Sequence, residues 1–363
     1  MSFGVPIVVF GPWPPPWGGV ASHVRDLVGN LERQGSPVRV LGYGDFGWNS
    51  GARKVSVTRR GWWRTRLWLS LALRPGRVLH DHTDMLPYPD AHLLRSLSEI
   101  VRARRSRWVL TLHDETLIAR FTLWPRETRD TFEEYVRQPE HLICVGTRLA
   151  GFVRQRGVPA GRVTNIPPLL PLTEDASGAL PDADQSFLAA HAPTISAVGV
   201  FEANYDLPTL LRAFPGIRAR HPRAGLLIID AGFTRDPGVA REAQHALDQL
   251  PAGSYRLLTC VPRDRVRRLL GASAVFVRGT RLESFGLSRV EAILGGTPVV
   301  TTPSGETRYM RLYPCGNAER LAAEVLSVVA SPPDLREARE YYERLAEQAM
   351  AQVRDVYRRV GSA

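Results

Sequence analysis

Two carboxylates, Glu283 and Glu291, stand eight residues apart in the stretch Arg281-Leu-Glu-Ser-Phe-Gly-Leu-Ser-Arg-Val-Glu-Ala-Ile-Leu-Gly-Gly-Thr-Pro-Val-Val300. Gly286 interrupts the chain between them, and Leu287, Val290, Ile293 and Leu294 then recur at helical spacing. The pattern predicts a helix that starts near 286–288 and stops at Gly295-Gly296. Glu283 therefore belongs to a loop and Glu291 to the helix that follows. The backbone N–H groups of Phe285, Gly286, Leu287 and Ser288 would be the unshared donors of that helix start, and with the helix dipole they offer a seat to phosphate oxygens. An acid on either side of an anion seat points to a nucleotide-sugar site. Two solvated carboxylates on a surface helix would give the same spacing.

Other residues with usable chemistry lie earlier. Gly18-Gly19 ends a loop rich in Pro and Trp and runs into a helix with Val20, Val24, Leu27, Val28 and Leu31 on one side. A glycine pair at a helix start lets the backbone approach a diphosphate closely, although a tight turn alone uses the same pair. Val78-Leu-His-Asp-His-Thr83 and Val109-Leu-Thr-Leu-His-Asp114 each end an apolar run in histidine. A neutral imidazole at His113 could hydrogen-bond a sugar hydroxyl, and Asp114 could fix its tautomer or polarise an acceptor hydroxyl. A structural partner at the strand end is the plainer use of such a histidine. His80, His82, His113 and Asp114 are metal ligands by type, but nothing in their spacing demands an ion.

The segments that must position these groups are short and apolar: 7–10, 37–43, 77–80, 108–113 and 141–145, then 194–201, 224–230, 255–258 and strands around Val275 and Val299. With room for helices between them, this is the pattern of parallel α/β sheets, whose ligands collect at the carboxyl ends of strands. Between 166 and 194 the chain turns Pro-rich and acidic, which marks a domain boundary. The expected organisation is an N-terminal domain over 1–167, a linker over 168–193, a second α/β domain over 194–335 and a C-terminal helix over 336–363.

The stretch 281–300 resembles the Glu-x7-Glu signature of family 4 retaining glycosyltransferases, whose usual form runs Glu-Gly-Phe-Gly-Leu, then a helix ending in Gly-x-Pro, then a strand. Glu283-Ser-Phe-Gly-Leu287 differs from it by one residue. Gly18-Gly19-x-x-x-His-Val24 and Leu112-His-Asp114 are similar to the family's N-terminal pattern, so the likeness spans most of the chain. It implies the GT-B fold: two Rossmann-like domains facing a central cleft, with the C-terminal helix crossing back to the N-terminal domain. It also implies a hexosyltransferase-type enzyme that moves a sugar from a nucleoside diphosphate sugar to a glycan, lipid-linked or small-molecule acceptor, with no metal or other cofactor. By the same likeness Glu291 holds the ribose hydroxyls, and Glu283 and His113 face the donor sugar. Gly18, Gly19 and the 285–288 amides approach the diphosphate, and His82, Asn204 and Tyr205 line the cleft.

One departure matters. The family's strand exit carries Gly-Arg and, five residues on, Lys-Gly, and those two cations neutralise the donor diphosphate. Val198-Gly-Val-Phe-Glu-Ala-Asn-Tyr-Asp206 puts Val200 and Tyr205 in their places. Arg278, Arg281 and Arg308 are the candidate replacements, with Arg278 preferred because it follows an apolar run five residues before Glu283. The alternative is a glycosyltransferase-like protein that binds a nucleotide sugar or an acidic partner without transfer.

A chain of 363 residues with 44% hydrophobic residues can build two domains with sizeable cores. Its 47 Lys and Arg against 36 Asp and Glu leave +11, and Lys54 is the sole lysine, so arginine must supply any cation on a phosphate. Charge alone argues for nucleic acid, and without a recognised module no nucleic-acid partner is expected. No apolar run approaches the ~20 residues of a membrane span. Arg59 to Trp68, where Trp62, Trp63 and Trp68 interleave with Arg64 and Arg66, and the basic cluster at 102–108 suit an anionic membrane surface. A packed helix with a solvated Arg face would read the same way. The chain enters its first strand without a charged lead and apolar core, so no signal peptide is expected. Cys144, Cys260 and Cys315 fit neither a disulfide framework nor a zinc site. The expected location is cytoplasmic, peripheral on the inner face of the plasma membrane.

Overall fold

Runs of branched apolar residues bounded by glycine, proline and aspartate form the strands, and alternation along each run decides which layer a side chain enters. The structure, a computed structural model, describes residues 6–14, 18–43, 55–58, 78–82, 91–103, 106–170 and 178–362. It divides into two units, Met1–Pro171 with Leu345–Ala363, and Leu172–Arg344.

The N-terminal unit has seven described strands: β1 (Ile7–Pro12), β2 (Val38–Tyr43), β3 (Val55–Thr58), β4 (Val78–Asp81), β5 (Arg107–Leu112), β6 (His141–Cys144) and β7 (Val163–Asn165). They form one parallel sheet in the order β3-β2-β1-β4-β5-β6-β7, with Ile7 beside Val38 on one side and Val78 on the other. β1 is buried along its whole length, as a central parallel strand covered on both faces must be. Val8 and Phe10 enter one layer with Leu79, Leu110 and Phe132. Ile7 and Val9 enter the other, against Val24, Leu27 and Leu31 of the helix Gly19–Arg33 and against Met350, Val353 and Tyr357 of the helix Arg336–Ser362. The first of these helices ends where Gly35 takes φ 71, which lets the Ser36 N–H reach Leu31 O at 3.0 Å.

The C-terminal unit has six described strands: β8 (Thr194–Phe201), β9 (Gly225–Arg235), β10 (Tyr255–Thr259), β11 (Val275–Arg278), β12 (Val299–Thr301) and β13 (Arg311–Leu312). Their order is β10-β9-β8-β11-β12-β13, again parallel. Ile195, Leu226 and Ile228 meet Leu210 and Phe214 of the helix Leu207–Arg220 on one face, and Leu227 and Ile229 meet Leu269 on the other. In both sheets the first strand of the unit sits between neighbours reached in opposite directions, β1 between β2 and β4, β8 between β9 and β11. Such a switch point opens a crevice at the carboxyl ends of the strands, where doubly wound sheets hold ligands.

Two expected boundaries need correction. The stretch 168–193 is not all linker, because it contains the helix Asp182–Ala190. Pro181 precedes that helix, and its buried Asp184 is met by Arg256 at 3.1 Å and Arg265 at 2.7 Å, which fastens it to the C-terminal unit. Nor does all of 336–363 belong with the N-terminal unit. Residues through Arg344 group with the C-terminal unit, where Tyr342 donates to Arg308 O and Tyr309 donates to Glu337, each at 2.8 Å. An amphipathic helix of 27 residues has turns enough for its first part to serve one core and its remainder another. Among the described residues no helix is long and apolar enough to cross a membrane. The Arg- and Trp-rich stretch 59–68 lies outside the described residues.

Candidate functional site

The acids selected from the sequence fall at the switch point of the C-terminal sheet. β11 ends at Arg278, which donates through Nε and Nη2 to Oε2 of Glu283 at 3.1 and 2.9 Å, and through Nη1 to Val198 O at 2.9 Å. Its guanidinium carbon lies 5.1 Å from the ring centroid of Tyr205, within cation–π reach. Burial alone would lower the Arg278 pKa, but Glu283 and Tyr205 outweigh it and hold it above the ordinary arginine value. The Tyr205 phenol is pushed up, chiefly by burial. Val200, in the place of the family's arginine, is 2% exposed at a register shift between Gly199 and Phe201, so a core side chain fills that place. Arg278 reaches the same strand exit from the neighbouring strand. The other two candidates are engaged elsewhere: Arg281 donates to Ala203 O at 3.0 Å, and Arg308 stacks on Tyr341 at 4.4 Å.

The loop carrying Glu283 is clamped by the turn that follows β8. Asn204 donates through Nδ2 to Leu282 O and accepts the Leu282 N–H on Oδ1, both at 3.0 Å, and Tyr205 forms a backbone bridge with Thr280. A side-chain amide offers the same donor and acceptor pair as a strand neighbour. Asn204, expected to line the cleft, is therefore a brace for the Glu283 loop. The helix Leu287–Leu294 begins after Gly286, which takes φ 87, and the helix has no side-chain cap. Glycine suits that φ, and a Cβ there would come within 2.9 Å of Arg289 Cδ. In the first turn Ser288 Oγ is buried with no hydrogen-bond partner among the described residues. An uncapped start with an unmatched hydroxyl is consistent with the anion seat expected at 285–288.

Glu291, one turn further on, is 6% exposed and meets Arg263 Nε at 2.6 Å and Nη2 at 2.5 Å, both on Oε1. Arg263 is not legible in the sequence, where it is one of four arginines in the helix Arg263–Gly271. Arg289 is a second residue that composition conceals. It is fully buried, donating to Ser304 O, to Thr280 Oγ1 at 2.7 Å and to Arg278 O at 3.4 Å. Burial lowers its pKa to about 10, so it remains a cation at neutral pH. Its one sequence sign is position, four residues before Ile293 on the apolar face. Arg289 ties the exit of β11 to the loop after β12 and so positions the chain on either side of Glu283.

In the N-terminal unit, Gly18 precedes the helix Gly19–Arg33 with extended backbone, and among the described residues a Cβ on Gly19 would meet nothing within 4 Å. The strand-exit histidines form a buried group with His23, whose place in the Gly-Gly-x-x-x-His-Val run gives no hint of its use. Ring centroids of His23, His82 and His113 lie 4.7 to 5.3 Å apart, and His82 Nδ1 is 2.8 Å from His113 Nε2. Behind them His80 is bonded to Tyr357 Oη at 2.5 Å and Thr111 Oγ1 at 2.6 Å. The ligand atoms of His23, His82 and His113 fall within 4.8 Å of one another. Their hydrogen bonds oppose a metal: the Leu169 N–H donates to His23 Nδ1 at 3.0 Å, so in neutral His23 the proton sits on Nε2 and neither nitrogen offers a lone pair to an ion. Burial first, then neighbouring imidazoles, hold His80, His82 and His113 well below the ordinary histidine pKa.

Two expectations change here. His82 is 0% exposed and so supports His113 rather than lining a cleft. Asp114 accepts from the Thr116 N–H at 2.8 Å, from Thr116 Oγ1 at 2.5 Å and from Arg120 at 2.5 Å. Those bonds commit the carboxylate to the start of the helix Thr116–Phe121 and make it a positioning group for the loop after β5.

Residues 182–349 match the family described as Glycosyl transferases group 1. An alpha-maltose-1-phosphate synthase of Mycolicibacterium smegmatis is 30% identical over 128 residues, which span 31% of this chain and 33% of that relative. Among solved structures, sucrose-phosphate synthase of Thermosynechococcus elongatus superposes with a TM-score of 0.72 at 19% identity, covering 99% of each chain. An alpha,alpha-trehalose-phosphate synthase of Burkholderia xenovorans in complex with glucose-6-phosphate gives 0.73 at 15% identity, over 98% of this chain and 100% of the other. Anabaena HepE in complex with UDP and glucose gives 0.72 at 13%, over 96% and 98%. At these identities the structural likeness is one of fold. The chain has the GT-B fold of two Rossmann-like units, and the region that builds the Arg278, Glu283 and Glu291 site matches the glycosyl transferases group 1 family.

Proposed function

We propose that the protein is a retaining glycosyltransferase that moves a hexose from a nucleoside diphosphate sugar to a glycan, lipid-linked or small-molecule acceptor, in the cytoplasm and without a metal. The observation that carries this reading is the placement of Glu283 and Glu291, each held by its own arginine, on either side of an uncapped helix start. In it Glu291 accepts the ribose hydroxyls, with Arg263 fixing its other oxygen. The 285–288 amides, Ser288 Oγ and Arg278 receive the diphosphate, and Glu283 orients the sugar. As the bond from the anomeric carbon to the diphosphate oxygen breaks, negative charge grows on the leaving group. Donors already aimed at that oxygen lower the barrier because they need no reorganisation. His113 of the N-terminal unit, neutral at pH 7, is assigned to a sugar hydroxyl. Structural neighbours in complex with UDP and UDP-glucose support a nucleotide-sugar donor, and one in complex with glucose-6-phosphate supports a small-molecule acceptor.

A second reading, binding without transfer, is favoured by Val200 and Tyr205 in the places of the family's cations. A panel of nucleoside diphosphate sugars, followed by thermal shift and by release of the nucleoside diphosphate, separates the two: stabilisation without release selects binding alone. Glu291→Ala should weaken nucleoside diphosphate binding by roughly 1.5–3 kcal/mol, the size of hydrogen bonds to a charged group. Unchanged affinity by calorimetry would sink the assignment of Glu291.

A further inference from the structure

We infer that Glu283 stands where a phosphoryl group of the donor binds, so that Arg278 is a diphosphate-binding residue whose anion is supplied by its own chain until a donor displaces it. The inference rests on the donor reading above and adds a competition that the reading does not contain.

Four observations lead to it. Arg278 gives both Nε and Nη2 to a single oxygen of Glu283, a forked contact that a phosphate oxygen accepts equally well. The third donor, Nη1, is tied to Val198 O, which keeps the guanidinium at the exit of the switch-point strand whether or not Glu283 is present. The Tyr205 ring over the guanidinium holds it from another side. Finally, the side chains of Arg278 and Glu283 are only 12% and 17% exposed, so neither charge is well solvated and each needs an opposite charge beside it. A diphosphate meets that need for Arg278 better than one carboxylate, since it carries more charge and more acceptor oxygens. Once displaced, Glu283 must find new donors, and the hydroxyls of the sugar attached to that diphosphate are the nearest ones the substrate brings. Donor binding and release of Glu283 for the sugar are then one event. Before that exchange, Arg278 and Glu283 neutralise each other.

Space permits the exchange. Glu283 Cγ packs against Gly305, where a Cβ would stand 2.9 Å away, so the carboxylate arm has clearance on that side only because residue 305 is glycine. Arg281 and Arg308, the other two candidates, are engaged by Ala203 O and by the Tyr341 ring.

The test is a calorimetric titration with inorganic pyrophosphate of the full-length parent and of Glu283→Gln, Glu283→Asp and Arg278→Gln. Removing the competing charge should tighten pyrophosphate binding to Glu283→Gln about tenfold, equivalent to ~1.4 kcal/mol. Glu283→Asp, which withdraws the carboxylate by one methylene, should change affinity in the same direction by less, and it serves if the Gln variant folds poorly. Arg278→Gln should lose most of the binding, and adding Glu283→Gln to it should restore none. Equal or weaker binding by both Glu283 variants overturns the inference, because Glu283 would then be orienting Arg278 and not competing with its ligand. In that outcome the donor reading still stands if the parent releases nucleoside diphosphate from a nucleotide sugar. If neither pyrophosphate nor any nucleoside diphosphate binds parent or variants, both fall together.

Discussion

The switch point of the N-terminal sheet buries imidazoles, His80 on Tyr357 and Thr111 and His82 on His113, beside the Asp81 carboxylate that accepts from Tyr135, whereas that of the C-terminal sheet holds ion pairs, Arg278 on Glu283 and Arg263 on Glu291. The topology around both is the same, with a first strand flanked by chains that leave in opposite directions. What differs is the ligand chemistry each can serve. A hydrogen-bonded imidazole and hydroxyl network is suited to sugar hydroxyls, and it fails when a proton arrives, because a buried imidazolium is poorly solvated. A buried ion pair cannot simply lose one member, but it can exchange that member for another of the same charge. Under the proposed function, imidazoles at one switch point would serve a sugar and ion pairs at the other a diphosphate.

Acid should separate the two units most. His80, His82, His113 and His141 all titrate below their unfolded value, His141 at about 4, so between the folded and unfolded pKa the unfolded chain binds more protons. Stability is therefore complete above about pH 6.5 and lost as pH falls, by about 1.4 kcal/mol per pH unit for each such histidine. Trp108 and Trp124 are buried in the core of the N-terminal unit, and no tryptophan follows Trp124 in the sequence, so tryptophan fluorescence does not report on the C-terminal unit. The urea midpoint of the N-terminal unit should drop steeply between pH 7.5 and 5.5. A midpoint that stays level over that range breaks the comparison.

The next largest effect is expected in the other unit. Arg289→Ala removes the donor to Ser304 O, Thr280 Oγ1 and Arg278 O and should destabilise the C-terminal unit by roughly 3 kcal/mol. The check is differential scanning calorimetry together with the fluorescence transition, which should not move. A common shift of both would show that Arg289 does not act on its own unit alone. Smaller still, Tyr357→Phe leaves His80 Nδ1 without its partner and should cost about 1 kcal/mol in the fluorescence transition. Nucleoside diphosphate affinity should stay as it was; a weakened affinity would mean that the two sites are not energetically separate.

Much of the architecture was legible. The strands at β1, β2, β4, β5 and β6 and at β8 to β12 announce themselves as apolar runs, and the helix Leu287–Leu294 falls within one residue of its glycine boundaries. The strands β3, β7 and β13 read Val-Ser-Val-Thr, Val-Thr-Asn and Arg-Leu, and none of them holds a continuous apolar run. The helix Asp182–Ala190 hides inside a Pro-rich acidic stretch because its stabilising contacts, Arg256 and Arg265, lie more than seventy residues on.

At the site the same divide holds. Glu283, Gly286 and Glu291 could be picked out because their meaning depends on local spacing: a glycine at a left-handed position, an apolar stripe, and acids placed before and after a helix start. The sequence by itself therefore determined which residues stand at the carboxyl end of which element. Only the tertiary structure decided what each of them faces. Arg263 meets Glu291 across 28 residues, Arg278 meets Val198 across 80, and His80 meets Tyr357 across 277. Those distances along the chain carry no period, since they are set by the order in which strands are laid into a sheet and by where a long terminal helix packs. That is why Asn204 and His82 could be placed at strand exits from sequence, while their use as a loop brace and a buried support for His113 came from packing.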